Sequence, residues 1–255
     1  MSMRILVVPV LGLVALAMAG PAAALEASGQ AVSVLRDTSA SGPAGDRALE
    51  AKGPVYSGDV IKTNRRGTAQ ILFADNTKMV VGPNSQVAVD DFVFSSSSRA
   101  STFAIDALRG SFRFITGASA KNVYSINTPT ATIGVRGTAF DGHVAEDGTT
   151  TIAMWHGTVR LCDKATPLHC LDISGTCSMV QLAPQADFNR VNDVYKRTDI
   201  LDRLVPFAFR QTRLMSEFRV SSRGCEIRNL APQWNPDGGR NPTPTPTPTP
   251  SPRPL

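Results

Sequence analysis

The sequence predicts an all-β protein, a short-stranded roll or solenoid-like domain with a small C-terminal helical appendage and a Pro-rich tail. Three observations predict it. Runs such as Ala69-Gln70-Ile71-Leu72-Phe73 and Phe112-Arg113-Phe114-Ile115 put neighbours on opposite faces, one row in a core and one in solvent. Turn signals (Gly58-Asp59, Arg66-Gly67, Asp75-Asn76, Gly82-Pro83-Asn84) recur about every eight or nine residues in the first half. No helical pattern of useful length interrupts residues 32–182, which excludes a parallel sheet with crossover helices. A strict sequence repeat is absent, which weakens the solenoid option.

The first segment, 1–24, reads as a cleavable secretory signal. Arg4 precedes an uncharged apolar stretch at 5–20, Pro21 breaks it, and Ala22-Ala23-Ala24 offer small residues for cleavage before Leu25. The apolar stretch is shorter than the roughly 20 residues a membrane span needs, and no later stretch is long and apolar enough. With no Cys near the cleavage site, a lipid anchor is not expected either. The mature chain is therefore expected in the periplasm or secreted, without stable membrane insertion.

Residues 25–183 form the expected β domain. Strand runs fall at 55–61, 69–73, 78–81, 86–94, 101–107, 111–116, 123–126, 138–144, 150–155, 158–161 and 178–182. Gly110, Gly117, Gly134, Gly137, Asp147-Gly148 and His156-Gly157 read as the turns between the later ones. Residues 184–231 read as a helical extension. Phe188, Val191, Val194 and Tyr195, then Ile200, Leu201, Leu204 and Val205, recur at helical spacing, and Pro206 ends the stripe. A second short amphipathic stretch is expected over 207–218, with Phe209, Met215 and Phe218 packed on the β domain. From 232 to 255 the chain is low in complexity. Its alternating Thr and Pro favour extended polyproline II, a disordered tail.

The formal charge is +5, and loss of Arg4 with the signal leaves +4. The basic residues are densest from Arg190 to Arg228, which reads as a solvated helical face. Nucleic-acid binding is not expected, because basic and aromatic residues are not interleaved. Cys162, Cys170, Cys177 and Cys225 are an even set, suited to disulfides in an oxidising compartment. Cys162 and Cys170 flank a Pro-containing turn, where a hairpin bridge is sterically easy; that leaves Cys177 with Cys225. A metal or redox site is disfavoured, since no C-x-x-C is present.

Catalytic patterns are missing: no nucleophile elbow, no H-E-x-x-H, no phosphate loop and no calcium loop. His143, His156 and His169 stand alone in strands or turns, so neither a metal nor a cofactor is implied. Asp90 and Asp91 are adjacent, and on a strand would face opposite ways. Residues 125–140 are the most distinctive stretch. There Gly134 and Gly137 permit tight or left-handed backbone and frame Val135 and Arg136. Arg136 either reaches water or enters the domain and finds an acceptor; a strand bend fixed by its hydrogen bonds is the favoured reading, an anion-binding nest the alternative.

At these residues the chain resembles the FecR-type domain family. The resemblance rests on Ile133-Gly134-Val135-Arg136-Gly137-Thr138 followed by Phe140, on Gly58-Asp59-Val60-Ile61-Lys62-Thr63 and on Gly67-Thr68-Ala69-Gln70-Ile71-Leu72-Phe73-Ala74-Asp75-Asn76-Thr77. Gly82-Pro83-Asn84-Ser85 and Gly110-Ser111-Phe112-Arg113-Phe114 complete an ordered set across 55–161. The resemblance implies an all-β, roll- or solenoid-like module outside the cytoplasmic membrane, with no catalytic residues to carry over. The founding member relays an outer-membrane iron-transporter signal to a sigma factor through a cytoplasmic segment and a membrane helix. This sequence is expected to lack both and to be a free-standing periplasmic form.

The expected function is therefore a non-enzymatic interaction or sensory module whose partner is an envelope protein or a cell-wall component. An envelope-glycan-binding or glycan-acting protein is the alternative. A glycan-acting site would need at least two of Asp90, Asp91, Asp106, Asp141 and Glu146 to converge in one cleft.

Overall fold

The computed structural model describes residues 25–96, 99–120, 122–223 and 225, with the backbone alone at 93–96. The segments expected to be the signal (1–24) and the tail (232–255) lie outside the described residues. Among the described residues, fifteen strands join one hydrogen-bonded sheet network that stays open rather than closing into a barrel. The first eight are β1 (Ala27–Leu35), β2 (Thr38–Ser41), β3 (Arg47–Ala48), β4 (Pro54–Tyr56), β5 (Val60–Thr63), β6 (Thr68–Phe73), β7 (Lys78–Val81) and β8 (Gln86–Ser96). The rest are β9 (Arg99–Ile115), β10 (Tyr124–Asn127), β11 (Ala131–Val144), β12 (Thr150–Asp163), β13 (Cys170–Ser174), β14 (Met179–Leu182) and β15 (Asn189–Arg190). One α-helix, α1 (Val194–Leu204), follows.

The main path runs β15-β14-β12-β11-β10-β9-β7-β6-β1-β4. A branch leaves β9 through β8, β5, β2 and β3, and β13 pairs with β12. Ladders are antiparallel except β10 against β9.

The late strands are not short. Runs separated in the sequence at Gly110, Gly137 and Gly157 are single bent strands. Before Gly110, β9 pairs with β8 and β10; after it, with β7 and β11. Gly110 sits at φ +82°, and a Cβ there would lie 2.3 Å from Ser85 Oγ. In the same way β11 leaves β10 for β9 across Gly137 (φ +59°) while staying on β12, whose own bend is Gly157 (φ +83°). A Cβ on Gly157 would come 2.3 Å from the Gly137 carbonyl oxygen. Left-handed backbone without a Cβ is what lets each ladder shift register and turn a corner. A glycine in a strand thus signals a bend as well as an end.

The corners wrap the strands around one large core. Phe73, Phe92, Phe103, Phe114 and Tyr124 meet there, several edge to face at 4.8–5.8 Å between centroids. A second apolar layer covers the opposite face. Alternation assigns the residues: Met79 and Val81 face the main core and Val80 the second layer; Ile152 and Met154 face the main core and Ala153 and Trp155 the second. Sheet covered on both sides reads as an unbroken apolar run, as in Met79-Val80-Val81.

Residues after 184 supply this second layer. Asp193 caps α1 by accepting from Lys196 N (2.7 Å), and the helix ends at Leu204, ahead of Pro206. Ile200, Leu201, Val205, Phe207, Leu214 and Phe218 are buried against Val80, Ala139 and Trp155. Two expectations fail here. Residues 189–190 join β14 as strand β15 rather than extending the helix, because an open edge lies within reach. Residues 207–218 hold two 3-10 turns, Gln211–Arg213 and Ser216–Phe218, since side-chain bonds to the sheet fix their path. Of the aromatic and Met contacts expected there, Phe218 is buried, Phe209 is half-buried and Met215 is exposed.

Two disulfides fasten the layers. Cys162 and Cys170 stand opposite each other on β12 and β13. Cys177–Cys225 ties the end of the covering segment to the turn before β14.

Candidate functional site

The strand-bend motif comes out divided. The Arg136 side chain is exposed and makes no hydrogen bond or ion pair among the described residues, so the bend does not depend on it. Gly137 carries the left-handed backbone. Gly134 does not, and a Cβ there would meet Arg160 only at an ordinary 3.9 Å. Thr138 is buried; its N–H donates to Thr116 Oγ1 (3.0 Å) and its carbonyl accepts from Thr116 N (3.0 Å). These two bonds hold the two bent strands together at the corner.

The buried carboxylates are committed to structure. Asp59 accepts from Arg47 Nη1 and Nη2 (2.9 and 2.5 Å) and from Tyr56 N (2.8 Å). Asp75 accepts from Thr77 N (2.9 Å), Ser119 Oγ (2.7 Å) and Tyr124 OH (2.8 Å). Burial pushes the Tyr124 phenol above its ordinary value, with Asp75 acting in the same direction, so it remains a donor.

Asp141 binds Arg113, which has no exposed surface. The two residues are cross-strand partners on β11 and β9. Arg113 Nε donates to Asp141 Oδ1 (2.6 Å) and Nη2 to Oδ2 (2.8 Å). Nη1 reaches outward to Gln211 Oε1 (2.7 Å) and Phe218 O (3.2 Å). The Trp155 and Phe207 rings lie 5.6 and 5.3 Å from the guanidinium carbon. Alternation places Arg113 opposite the core, as expected, but that face is roofed by residues 207–220 instead of solvent. A buried charge so enclosed requires this full set of acceptors.

The remaining candidate carboxylates do not form a catalytic cluster. Asp91 and Asp106 are half-buried on the β8–β9 ladder, Asp106 accepting from Asn127 Nδ2 (3.0 Å). Asp90 and Glu146 are exposed. Among the described residues no three His, Cys, Asp or Glu gather as metal ligands. His143 is partly buried with Nδ1 unpartnered, and burial lowers its pKa.

A groove of about 860 Å³ lies between the β1–β2 and β5–β6 turns and the covering segment. Five arginines line it: Arg36, Arg65 and Arg66 from the turns, Arg210 and Arg213 from the segment. No carboxylate among the described residues does. Arg210 pairs with Asp202 (2.7 Å); the other four have no ion-pair partner among the described residues. Both sides are held in place. Asn64 Nδ2 donates to Asp37 Oδ2 (2.6 Å), tying one turn to the other. The buried Gln70 accepts from Met215 N (2.8 Å) and donates to the Arg213 carbonyl (3.4 Å), fixing the segment on β6. The sequence read Arg210 and Arg213 as part of a solvated face. Only their convergence with turns some 150 residues earlier distinguishes them, and charge density along the chain carries no sign of it.

Residues 59–160 match the family model described as FecR protein. No curated protein matches the chain. Two crystal structures, at 2.50 and 1.65 Å, of a proposed anti-sigma factor from Parabacteroides distasonis ATCC 8503 are similar to it at 15% identity, with TM-scores of 0.43 and 0.40. Each match covers 52% of this chain and 59% of the other, so the chain spans under two thirds of those proteins' length. The family match begins at the buried Asp59 and ends on β12, taking in both aspartate turns and all three glycine bends, so it is this stretch of the chain that is similar to the FecR family.

Proposed function

We propose that this chain is an exported, non-enzymatic FecR-domain protein that acts in the cell envelope as a protein-interaction or sensory module. The observation that carries the reading is the division of its charges. Asp59, Asp75 and Asp141 are consumed in buried ion pairs or hydrogen bonds, while the groove holds four arginines with no ion-pair partner and no carboxylate among the described residues. A glycan-cleaving site needs two carboxylates facing one cleft, which makes that alternative the weaker one. Two disulfides and no free cysteine among the described residues support an oxidising compartment. Among those residues no helix is long and apolar enough to cross a membrane.

The test is fractionation and crosslinking in intact cells. The protein is expected in the periplasmic or secreted fraction, resistant to thiol reagents until reduced, and crosslinked to an envelope protein. A cytoplasmic product with reactive thiols would sink the export reading. Hydrolysis of an envelope glycan by the purified chain would sink the non-enzymatic one.

A further inference from the structure

We propose that the arginine-lined groove binds an extended acidic peptide segment of a partner protein, an inference that rests on the interaction-module reading above. Scattered surface arginines are ordinary; convergence from separate elements is not. Arg36 lies in one turn, Arg65 and Arg66 in a second, and Arg210 and Arg213 in the covering segment, all facing one concavity. A cleft lined by one sign of charge concentrates ligands of the other. The hydrogen bonds through Asn64 and Gln70 hold both sides before any ligand arrives, which lowers the cost of ordering on binding.

The groove is also apolar. Exposed Leu35 and half-buried Phe209 line it together with the arginines. A bare phosphate or inorganic polyanion would leave that surface unused. An extended peptide sends successive side chains to opposite sides, so one alternating acidic and apolar residues uses both kinds of surface. A volume of about 860 Å³ falls within the range of recognition pockets. The chain's own other segments do not fit. Residues 1–24 hold no acid, and 226–255 hold Glu226 and Asp237 against Arg228, Arg240 and Arg253. A second copy is disfavoured by the net charge of +4 left once the signal is removed.

The experiment is fluorescence anisotropy on the full chain with both disulfides formed. The probe is a labelled octapeptide alternating Asp or Glu with Leu or Val. Saturable binding that weakens as salt is raised is expected. Arg65→Ala/Arg66→Ala is expected to weaken it about three- to thirtyfold, the loss of two exposed ion pairs. Arg213→Ala should act in the same direction, and neither variant should move the denaturation midpoint. Absence of binding, or binding indifferent to these variants, overturns the proposal. So does tighter binding of inorganic polyphosphate, a DNA oligonucleotide or phosphatidylglycerol vesicles at the same arginines. If the octapeptide fails while the chain still crosslinks to an envelope protein, the groove assignment alone falls. If both fail, the interaction reading falls with it.

Discussion

Arg113 and the groove arginines carry the same charge in opposite circumstances. Arg113 is sealed between the sheet and its cover, with both Asp141 oxygens, Gln211 and a backbone carbonyl as acceptors. Arg36, Arg65, Arg66 and Arg213 are exposed, and among the described residues no carboxylate answers them. A buried charge that is fully paired organises a fold; an exposed charge left unpaired is available to something else. The difference lies in surroundings, not residue type. The pair at Arg113 also joins the two layers, since Gln211 and Phe218 belong to the covering segment.

The sharpest way to break this contrast is Asp141→Ala. It strands a buried guanidinium and is expected to cost about 3–5 kcal/mol, read from urea unfolding. A loss below 1 kcal/mol would mean that water reaches Arg113. Next, Cys177→Ser/Cys225→Ser frees the covering segment across a separation of 48 residues. The expected loss is about 2–4 kcal/mol, accompanied by greater hydrogen-exchange exposure of 207–220.

Third, Gly137→Val forces a β-branched residue into φ +59°, costing about 1–3 kcal/mol. Gly134→Ala, at an ordinary conformation, should be neutral or stabilising by up to about 1 kcal/mol. Equal effects from the two would refute the assignment of the bend to Gly137.

Fourth, His143 protonates less readily folded than unfolded, because burial lowers its pKa from 6.5. As pH falls through that value the unfolded chain takes the proton first, so this contribution is complete above pH 6.5 and is lost below it. On its own face, Asp141 is already bound to Arg113. His143→Phe should flatten the stability profile between pH 7 and 5 relative to the parent, on the order of the window a single His titrates. An unchanged slope would place His143 in water. Smallest of all, Arg65→Ala/Arg66→Ala should shift stability by no more than about 0.5 kcal/mol, checked by the same unfolding curves.

Much of the β architecture was legible along the chain. Alternation in 69–73 and 112–115 places Ile71, Phe73, Phe112 and Phe114 in the core, where they are found, because a strand's faces are fixed by local geometry. Glycine positions were legible as special, but not as bends: Gly110, Gly137 and Gly157 lie inside strands because partners on both sides of each glycine keep the ladder going. The ordered turn motifs were enough for the FecR resemblance, since turn chemistry is also local.

What the sequence could not decide is what covers a face. Alternation sends Arg113 away from the core whether or not a roof exists, and the roof is made by Gln211 and Phe218, some hundred residues later. The groove has the same origin, since Arg36, Arg65 and Arg66 meet Arg210 and Arg213 only after the chain has folded back on itself. By itself the sequence determined which residues share a face; the tertiary structure alone decided which faces are closed, because closure depends on contacts between segments far apart in the chain.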